Sequence, residues 1–176
     1  MLLQTICAVS TAVVIGLMMT GCSSDKNSSA ADTVSSSVSS SETATQEGKT
    51  AKDILSEIDN ENLDGKAFYG DETFSANCKK LYGADESAFS DGGIIYATGG
   101  GLADEVSMLK TKDGKSAENY LTSRLEARKT TFKNYKPEES DKLDNAEIFH
   151  SGDWWVLVIS DKSDEISSKI KSLTVK

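Results

Sequence analysis

The stretch Trp154-Trp155-Val156-Leu157-Val158-Ile159 is an unbroken run of large apolar residues, most of them β-branched or aromatic. Such residues favour an extended backbone. Because side chains alternate between the two faces of a strand, a run that is apolar at every position predicts a strand buried on both faces. This stretch therefore predicts a strand in the interior of a sheet.

Two β-hairpins are predicted, and the buried strand belongs to the second. In that hairpin, residues 146–149 pair with the buried strand across Ser151-Gly152-Asp153. In the first hairpin, residues 93–98 and 105–111 are two β-forming runs on either side of Gly99-Gly100-Gly101. The three glycines predict a hairpin turn with positive φ angles.

Helices are predicted before, between and after the hairpins. Apolar spacing indicates short opening helices near residues 54–58 and 72–81. A closing helix has Asp161, Asp164 and Glu165 near its start, and its buried side consists of Ile166, Ile170 and Leu173. The helix between the hairpins begins at a Ser116 cap and ends before Pro137, which lacks a backbone donor. Its apolar stripe, to which two arginines contribute their aliphatic stems, consists of Ala117, Tyr120, Leu121, Arg124, Leu125, Arg128 and Phe132.

The order of these elements after the opening helices is ββαββα. Runs of strands punctuated by helices are typical of the α+β class. We therefore expect a two-layer sandwich, in which an antiparallel sheet of about four strands lies on one side and helices on the other, preceded by one or two short helices.

Near its amino terminus the chain carries Met19-Thr20-Gly21-Cys22, which predicts the lipid-attachment site of a bacterial lipoprotein. The uncharged residues 6–19 span about 21 Å as a helix, against about 30 Å for the hydrocarbon core of a bilayer, so they fit the apolar part of a signal peptide. Two features depart from the pattern: Met19 stands where leucine is usual, and residues 1–6 contain no lysine or arginine. An uncleaved signal anchor and an ordinary secretory peptide are the alternatives.

These signals predict both location and domain organisation. We expect a diacylglyceryl group on Cys22 to hold the protein at the extracytoplasmic face of the cell membrane, because two acyl chains anchor a protein stably. Residues 1–21 would be the signal peptide, residues 22–50 the lipidated cysteine with a disordered Ser/Thr-rich tether, and residues 51–176 a single domain. The tether has so few large apolar side chains that burial cannot offset the entropy of ordering it.

The chain is acidic, with 28 Asp and Glu against 19 Lys and Arg and a formal net charge of −9. Nucleic acid and anionic headgroups repel such a chain, so we do not expect nucleic-acid binding. Of the three cysteines, Cys7 leaves with the signal peptide and Cys22 is acylated. Only Cys78 remains, so no intrachain disulfide can form, and we expect Cys78 to be a half-buried packing residue.

One stretch resembles a calcium-binding loop. Asn60, Asn62 and Asp64 stand at positions 1, 3 and 5 of this stretch, with Gly65 at position 6 and Asp71 at position 12. Oxygen donors at that spacing are what a hard cation needs. However, the first position is asparagine where aspartate is usual, and the chain has one such loop. The alternative is a polar turn in which Asp64-Gly65 supplies the bend.

Other side chains suggest a binding surface. Asp104-Glu105 could serve acid–base chemistry or cation capture, although adjacent strand residues point to opposite faces, and a solvated strand entry is the alternative. Trp154 and Trp155 also point to opposite faces, so one lies in the core and the other could form an aromatic patch for a partner or a glycan. The predicted binding surface consists of Tyr96, Asp104, Glu105, Trp154 and Trp155.

Several segments together resemble a known family, the domain of unknown function 4358 (DUF4358). The resemblance covers about residues 72–173 and implies the layout of lipoproteins of Gram-positive bacteria, with a lipid-attachment cysteine, a low-complexity tether and one small domain. It implies no activity and no catalytic residues. The segments that carry it are Leu81-Tyr82-Gly83, Gly101-Leu102-Ala103-Asp104-Glu105-Val106, Phe132-Lys133-Asn134-Tyr135-Lys136-Pro137, Leu143-Asp144-Asn145-Ala146 and Gly152-Asp153-Trp154.

For function, we expect a non-catalytic domain, tethered to the membrane, that binds an envelope protein, an envelope polymer or a small ligand. The sequence shows no complete nucleophile–base constellation. The alternatives are a cell-envelope hydrolase that uses carboxylates and a calcium-linked adhesion or assembly module. Apart from that weak calcium possibility, we expect no cofactor.

Overall fold

Antiparallel strands form one open sheet in the described part of the chain. A computed structural model describes residues 48–113 and 117–175. The strands are β1 (Gly65–Phe68), β2 (Phe89–Tyr96), β3 (Glu105–Thr111), β4 (Glu147–Ser151) and β5 (Trp154–Ile159). Their spatial order is β1-β2-β3-β5-β4.

Helical segments connect these strands. A π-helical turn, Cys78–Tyr82, and two 3-10 turns, Glu86–Ala88 and Pro137–Glu139, accompany the longer helices. The α-helices are α1 (Ala51–Leu55), α2 (Glu72–Asn77), α3 (Glu118–Tyr135), α4 (Ser140–Asp144) and α5 (Ser163–Thr174).

Two apolar layers, one on each face of the sheet, hold the fold together. Ile94 and Leu157 belong to one layer, whereas their chain neighbours Ile95 and Val156 belong to the other. Helices α2 and α3 cover the first layer, which we call the α3 layer, and α1 and α5 cover the second, the α5 layer. Each large side chain buried there contributes on the order of 1.5–3 kcal/mol.

The α+β class, the antiparallel sheet and its packing with helices are confirmed. The run that begins at Trp154 pairs with both β3 and β4, so it is an interior strand as predicted. The sheet has five strands instead of about four, because Gly65–Phe68 pairs with β2 as an additional edge strand. Helices cover both faces because β2 and β5 bury apolar side chains on both.

The turn predicted at Gly99-Gly100-Gly101 has a different backbone from the expected one. Among the described residues, positive φ angles occur at Gly70, Gly83 and Gly152, so the positive φ predicted for the three glycines is wrong. Glycine is required instead at Gly152, in the turn between β4 and β5. Its φ is +61°, and a Cβ there would lie 2.9 Å from the carbonyl oxygen of Thr174.

Several predictions concern residues outside the described ranges. They are the signal peptide, the acylation of Cys22, the tether up to residue 47 and the helix cap at Ser116. These remain predictions.

The register of the strands gives the domain two ends. Tyr96 pairs with Gly65 and with Glu105, and Glu105 pairs with Ile159. These residues therefore share one end of the sheet, which we call the far end. The connecting segments gathered there are residues 56–64, 97–104, 136–139 and 160–162.

The opposite end is where the described chain begins. Gly48 lines a groove of about 960 Å³ there, together with Asp91 of β2, Gly152 and Val175. Asp91 pairs with Lys110 near the end of β3, so this groove lies across the other edge of the same strands. We call it the entry end.

Candidate functional site

A carboxylate buried beneath α3 forms a charge centre at the far end. Glu105, the first residue of β3, accepts hydrogen bonds from Nε (3.1 Å) and Nη2 (2.6 Å) of Arg124. Nε of Arg128 lies 3.8 Å from the same carboxylate. Ser107 donates to Glu105 over 3.1 Å, and the hydroxyl of Tyr82 donates to Ser107 over 2.9 Å. Two cations and a chain of hydroxyls therefore surround this buried anion.

Burial and the charge of Glu105 act in opposite directions on the pKa values of the two arginines. Burial disfavours the charged form of an arginine, but the hydrogen bonds to Glu105 and its negative charge together outweigh burial and raise the pKa of Arg124. Burial lowers the pKa of Arg128, and the Glu105 charge offsets this only in part. Burial, helped by the charge of Glu105, raises the pKa of Tyr82. At neutral pH the tyrosine is therefore neutral and the arginines remain cations.

A second buried charge centre adjoins the first. Nζ of Lys142, on α4, donates to Asp104 over 2.7 Å and to Glu139 over 2.9 Å. A carboxylate oxygen of Asp161 lies 3.5 Å from the same ammonium. Glu139 also accepts a hydrogen bond of 2.8 Å from the backbone N–H of Ala103. The lysine thus ties the entry of β3 to the helical segment that follows α3.

The pKa values of this second centre are displaced in opposite directions. Burial opposes a charged amine, but the hydrogen bonds to Asp104 and Glu139 outweigh it and raise the pKa of Lys142. Burial alone would raise the pKa of Glu139, yet the hydrogen bond from Ala103 and the charge of Lys142 lower it. Both side chains are therefore charged over the whole neutral range of pH.

These contacts make Asp104 and Glu105 internal ion-pair partners. The prediction that they form part of a binding surface is wrong, and so is the alternative of a solvated strand entry, because they are 1% and 0% exposed. Within the described residues, Oδ1 of Asp104 and Nε of Arg128 are buried without a hydrogen-bond partner.

Sequence reasoning missed the cations of both centres. The apolar stripe of α3 contains Arg124 and Arg128, but the pattern assigns them only the packing of their stems, whereas the guanidinium of Arg124 binds Glu105. Two arginines four residues apart on a buried face were a usable signal, because buried charges need partners. The spacing of Glu139 and Lys142 indicates an ion pair, but nothing local indicates that the pair is buried.

The loop before β3 lies against the carboxyl-terminal end of α3. Nη2 of Arg128 donates to the backbone carbonyl of Leu102 over 3.3 Å. A Cβ on Gly101 would lie 2.8 Å from Nζ of Lys136, so that lysine side chain covers the glycine. These contacts place the loop and the end of the helix side by side at the far end.

An exposed aromatic side chain stands at this junction. Tyr135 is 69% exposed. It follows Arg128 by seven residues, which is about two helical turns, so it lies on the face of α3 that contacts the loop. We give the name glycine-loop surface to Gly99, Gly100, Leu102, Tyr135 and Lys136.

A cleft of about 600 Å³ opens at the same end, between α4 and the start of α5. Its lining includes Asp141, Asp161 and Asp164, and also Lys142, whose ammonium is held by the second charge centre. Among residues 48–113 and 117–175, no group of three or more His, Cys, Asp and Glu side chains is arranged to hold a metal ion.

One family model matches residues 70–160, and its description is Domain of unknown function (DUF4358). This chain belongs to the DUF4358 family. The match agrees with the resemblance that the sequence segments indicate, and it ends just after β5. No curated protein and no solved structure matches the chain.

Three of the segments that carry the resemblance meet at the far end of this DUF4358 domain. Residues 101–106 supply Asp104 and Glu105 to the charge centres, and residues 132–137 end α3 at the exposed Tyr135. Residues 143–146 follow directly after Lys142. These segments therefore supply two carboxylates of the buried charge centres, the end of the loop before β3 and the exposed end of α3.

The aromatic residues of the predicted binding surface lie apart in the DUF4358 domain. Trp154 is buried in the α5 layer near the entry end, while Trp155 is half-buried on the other face, with its ring 5.2 Å from that of His150. Tyr96 is half-buried at the far end, where a Cβ on Gly65 would come within 2.7 Å of its ring. One tryptophan, Trp154, therefore lies in the core as expected, whereas Tyr96 and Trp155 lie at opposite ends of the other face and do not form one patch.

The residues of the predicted calcium loop are engaged in other contacts. The hydroxyl of Thr98 and its backbone N–H, at 2.8 Å, donate to Asp64 and lower the pKa of that carboxyl. Strand β1 separates Asp64 from Asp71, and Asn60 accepts a hydrogen bond from the backbone of Asn62 over 2.9 Å. Asp64 and Asp71 therefore stand at opposite ends of β1, and the side chains of Asp64 and Asn60 are held in local hydrogen bonds.

The structure describes Cys78 but not Cys22. Cys22 lies outside the described residues, so its lipidation remains a prediction. Cys78 is fully buried instead of half-buried, and burial raises the pKa of its thiol to about 12.

In the two described ranges, no helix has both the length and the apolar composition for crossing a bilayer.

Proposed function

We propose that this DUF4358 protein is a lipoprotein held at the extracytoplasmic face of the cell membrane through diacylglyceryl-Cys22, and that its domain binds an envelope partner without catalysing a reaction. The observation that carries the proposal is the separation between the start of the domain and its exposed loop. Gly48 lies at the entry end, whereas Gly100 and Tyr135 lie at the far end.

The anchor would leave the far end free to meet a partner. Residues 23–47 join Cys22 to the entry end, and a flexible coil of that length spans roughly 30 Å. Helix α3 then runs from the entry end to the far end, a rise of about 27 Å for its 18 residues. The glycine-loop surface would therefore stand well away from the headgroups.

The buried charge centres favour a binding role over a hydrolytic one. Asp104 and Glu105, one carboxylate pair that an envelope hydrolase could use, are held inside the domain by Lys142 and Arg124. A glycoside hydrolase needs two carboxylates about 5–9 Å apart on either side of a bound sugar. Two carboxylates withdrawn from solvent and paired with cations do not meet that demand.

Metabolic labelling with a fatty-acid analogue tests the anchor. The parent protein should carry the label and sediment with membranes, and Cys22→Ser should lose both properties. Cys7→Ser, inside the signal peptide, should leave both unchanged. Membrane retention of an unlabelled Cys22→Ser protein would favour an uncleaved signal helix instead.

Photo-crosslinking in cells tests whether the far end binds the partner. A benzoyl-phenylalanine residue at Tyr135 should trap an envelope component, whereas the same residue at Val175 of the entry end should not. The two positions are a matched pair, because each side chain is 69% exposed. An adduct formed from Val175 alone would assign binding to the entry end and contradict the proposal.

A further inference from the structure

The chemistry of the glycine-loop surface fits one class of partner. We propose that this surface binds a glycan strand of the cell envelope, with the ring of Tyr135 stacked on a sugar ring and the backbone of Gly99 and Gly100 hydrogen-bonded to the hydroxyl or N-acetyl groups of the next sugar. The inference rests on the proposed function, because it names the partner of the far end.

The fold does not require glycine at positions 99 and 100. Neither residue has a positive φ, and a Cβ on either would meet nothing within 4 Å. By contrast, a Cβ on Gly92 would come within 2.6 Å of the ring of Phe74, so close packing accounts for that glycine. Glycine loses more entropy on folding than other residues, so an unneeded glycine costs stability. A ligand that approaches the backbone closely gives a reason for it, because a side chain would hold the ligand away.

Tyr135 is the exposed aromatic residue of this surface, and it directly precedes Lys136, whose ammonium would lie 2.8 Å from a Cβ on Gly101. The position of Tyr135, two turns after Arg128, directs it along the helix face whose arginine contacts Leu102. A phenol ring has apolar faces and a polar hydroxyl at its edge. A sugar ring likewise has an apolar C–H face and polar edges, so the two surfaces are complementary in shape and polarity.

A glycan fits this surface better than a protein partner does. The centre of a protein interface is a contiguous cluster of large side chains, with aromatic anchors in pockets. The glycine-loop surface instead offers one aromatic ring among polar backbone groups. Lys136, whose ammonium lies 3.8 Å from Glu138, adds a cation that can donate to sugar hydroxyls or carboxylates.

Co-sedimentation with peptidoglycan sacculi, freed of protein and of phosphate polymers, tests the inference. The protein used is the mature chain with Cys22→Ser, which stays soluble without the acyl chains. Tyr135→Ala should weaken binding about tenfold or more, because the stacked ring is lost, while Tyr135→Phe should stay within about threefold of the parent.

Gly100→Val separates binding from folding. The new side chain meets open space, so the thermal midpoint should not change, but it covers the backbone and should weaken binding about tenfold or more. Tyr69→Ala is the control for loss of an exposed tyrosine, since Tyr69 follows the end of β1 that pairs with Gly93, away from the far end. Because the ring of Tyr69 also lies 6.2 Å from that of Phe74, the thermal midpoint of this variant is measured as well. That variant should bind as the parent does.

Two results would overturn the inference. Failure of the parent to sediment with sacculi would exclude the glycan, and unchanged binding by both Tyr135→Ala and Gly100→Val would exclude this surface. If the parent does not sediment but Tyr135 traps a protein in cells, the proposed function stands and the glycan is replaced by a protein partner.

Discussion

Nη2 of Arg124 lies 2.6 Å from Oε2 of Glu105, and the carboxylate of that glutamate is fully buried beneath α3. The contact joins the middle of α3 to the first residue of β3. Removing two charges from water costs several kcal/mol per ion, which a pair offsets only when its geometry is good. The attachment of α3 to the sheet is therefore sensitive to the loss of either partner.

Glu105→Ala should lower the free energy of unfolding by about 3–5 kcal/mol, because it leaves the guanidinium of Arg124 buried without its anion. Urea unfolding followed by circular dichroism measures the change. Glu126→Ala, on the exposed side of α3, is the control and should change stability by less than about 0.5 kcal/mol.

The double variant Glu105→Leu with Arg124→Leu should be more stable than Glu105→Leu alone, since it removes both charges together. A double variant less stable than the single one would show that the pair does not act as a unit.

The second charge centre predicts how stability depends on pH. Because the folded-state pKa of Glu139 is lowered, its contribution is present above its ordinary value of 4.5 and is lost as the pH falls through the folded-state value. The folded-state pKa of Lys142 is raised. The contribution of Lys142 to stability is therefore present below the ordinary lysine pKa of 10.5, and it is lost as the pH rises through the folded-state pKa. The parent should therefore lose stability below about pH 4.5 and at strongly alkaline pH, as chemical unfolding across that range would reveal.

Lys142→Met should destabilise the domain by about 3–5 kcal/mol at pH 7, because Asp104 and Glu139 are left as buried anions. The difference in unfolding free energy between the parent and the variant should narrow towards pH 4, because Glu139, without the lysine charge that lowers its pKa, can take up a proton there. Urea unfolding at both pH values measures this difference, with the exposed Lys133→Met as control. A difference in unfolding free energy of equal size at pH 7 and pH 4 would contradict the pairing of Lys142 with Glu139.

Two glycine substitutions should have opposite effects. Gly152→Ala places a side chain at a φ of +61° and against the carbonyl of Thr174, so it should cost about 1–2 kcal/mol. Gly100→Ala has open space and no positive φ, so it should be neutral or stabilise by up to about 1 kcal/mol. Thermal unfolding of the two variants beside the parent checks both signs, and a destabilised Gly100→Ala would mean that the fold itself needs that glycine.

The thiol of Cys78 should be unreactive in the folded protein. It is fully buried, and its pKa is raised to about 12, so little thiolate forms at pH 8. In the mature chain with Cys22→Ser, a disulfide reagent should modify it only after urea is added. Gly100→Cys in the same chain is the control and should react at once, and rapid modification of Cys78 in native buffer would show local opening of its site.

Local sequence pattern predicted most of the elements but not the edge strand β1 or the short helix α4. The apolar run at β5, the turn at Gly152 and the stripe of α3 each depend on residues a few positions apart, so they could be read from the chain. Strand β1 is only four residues long, includes an exposed lysine, and follows a polar stretch that also matches a calcium loop. It becomes a strand because it pairs with residues 93–96, which no local pattern reveals.

The sequence by itself determined the apolar pattern of β5 and of α3, the end of α3 before Pro137, and the membership of the family. Only the tertiary structure decided that Asp104 and Glu105 are internal and that the exposed groups of the far end are Gly100 and Tyr135. The physical reason is distance along the chain: Glu105 finds Arg124 19 residues later, and Asp104 finds Lys142 38 residues later. Whether a charge lies in water or in the core depends on such long-range partners, which exist only after the helices have packed on the sheet.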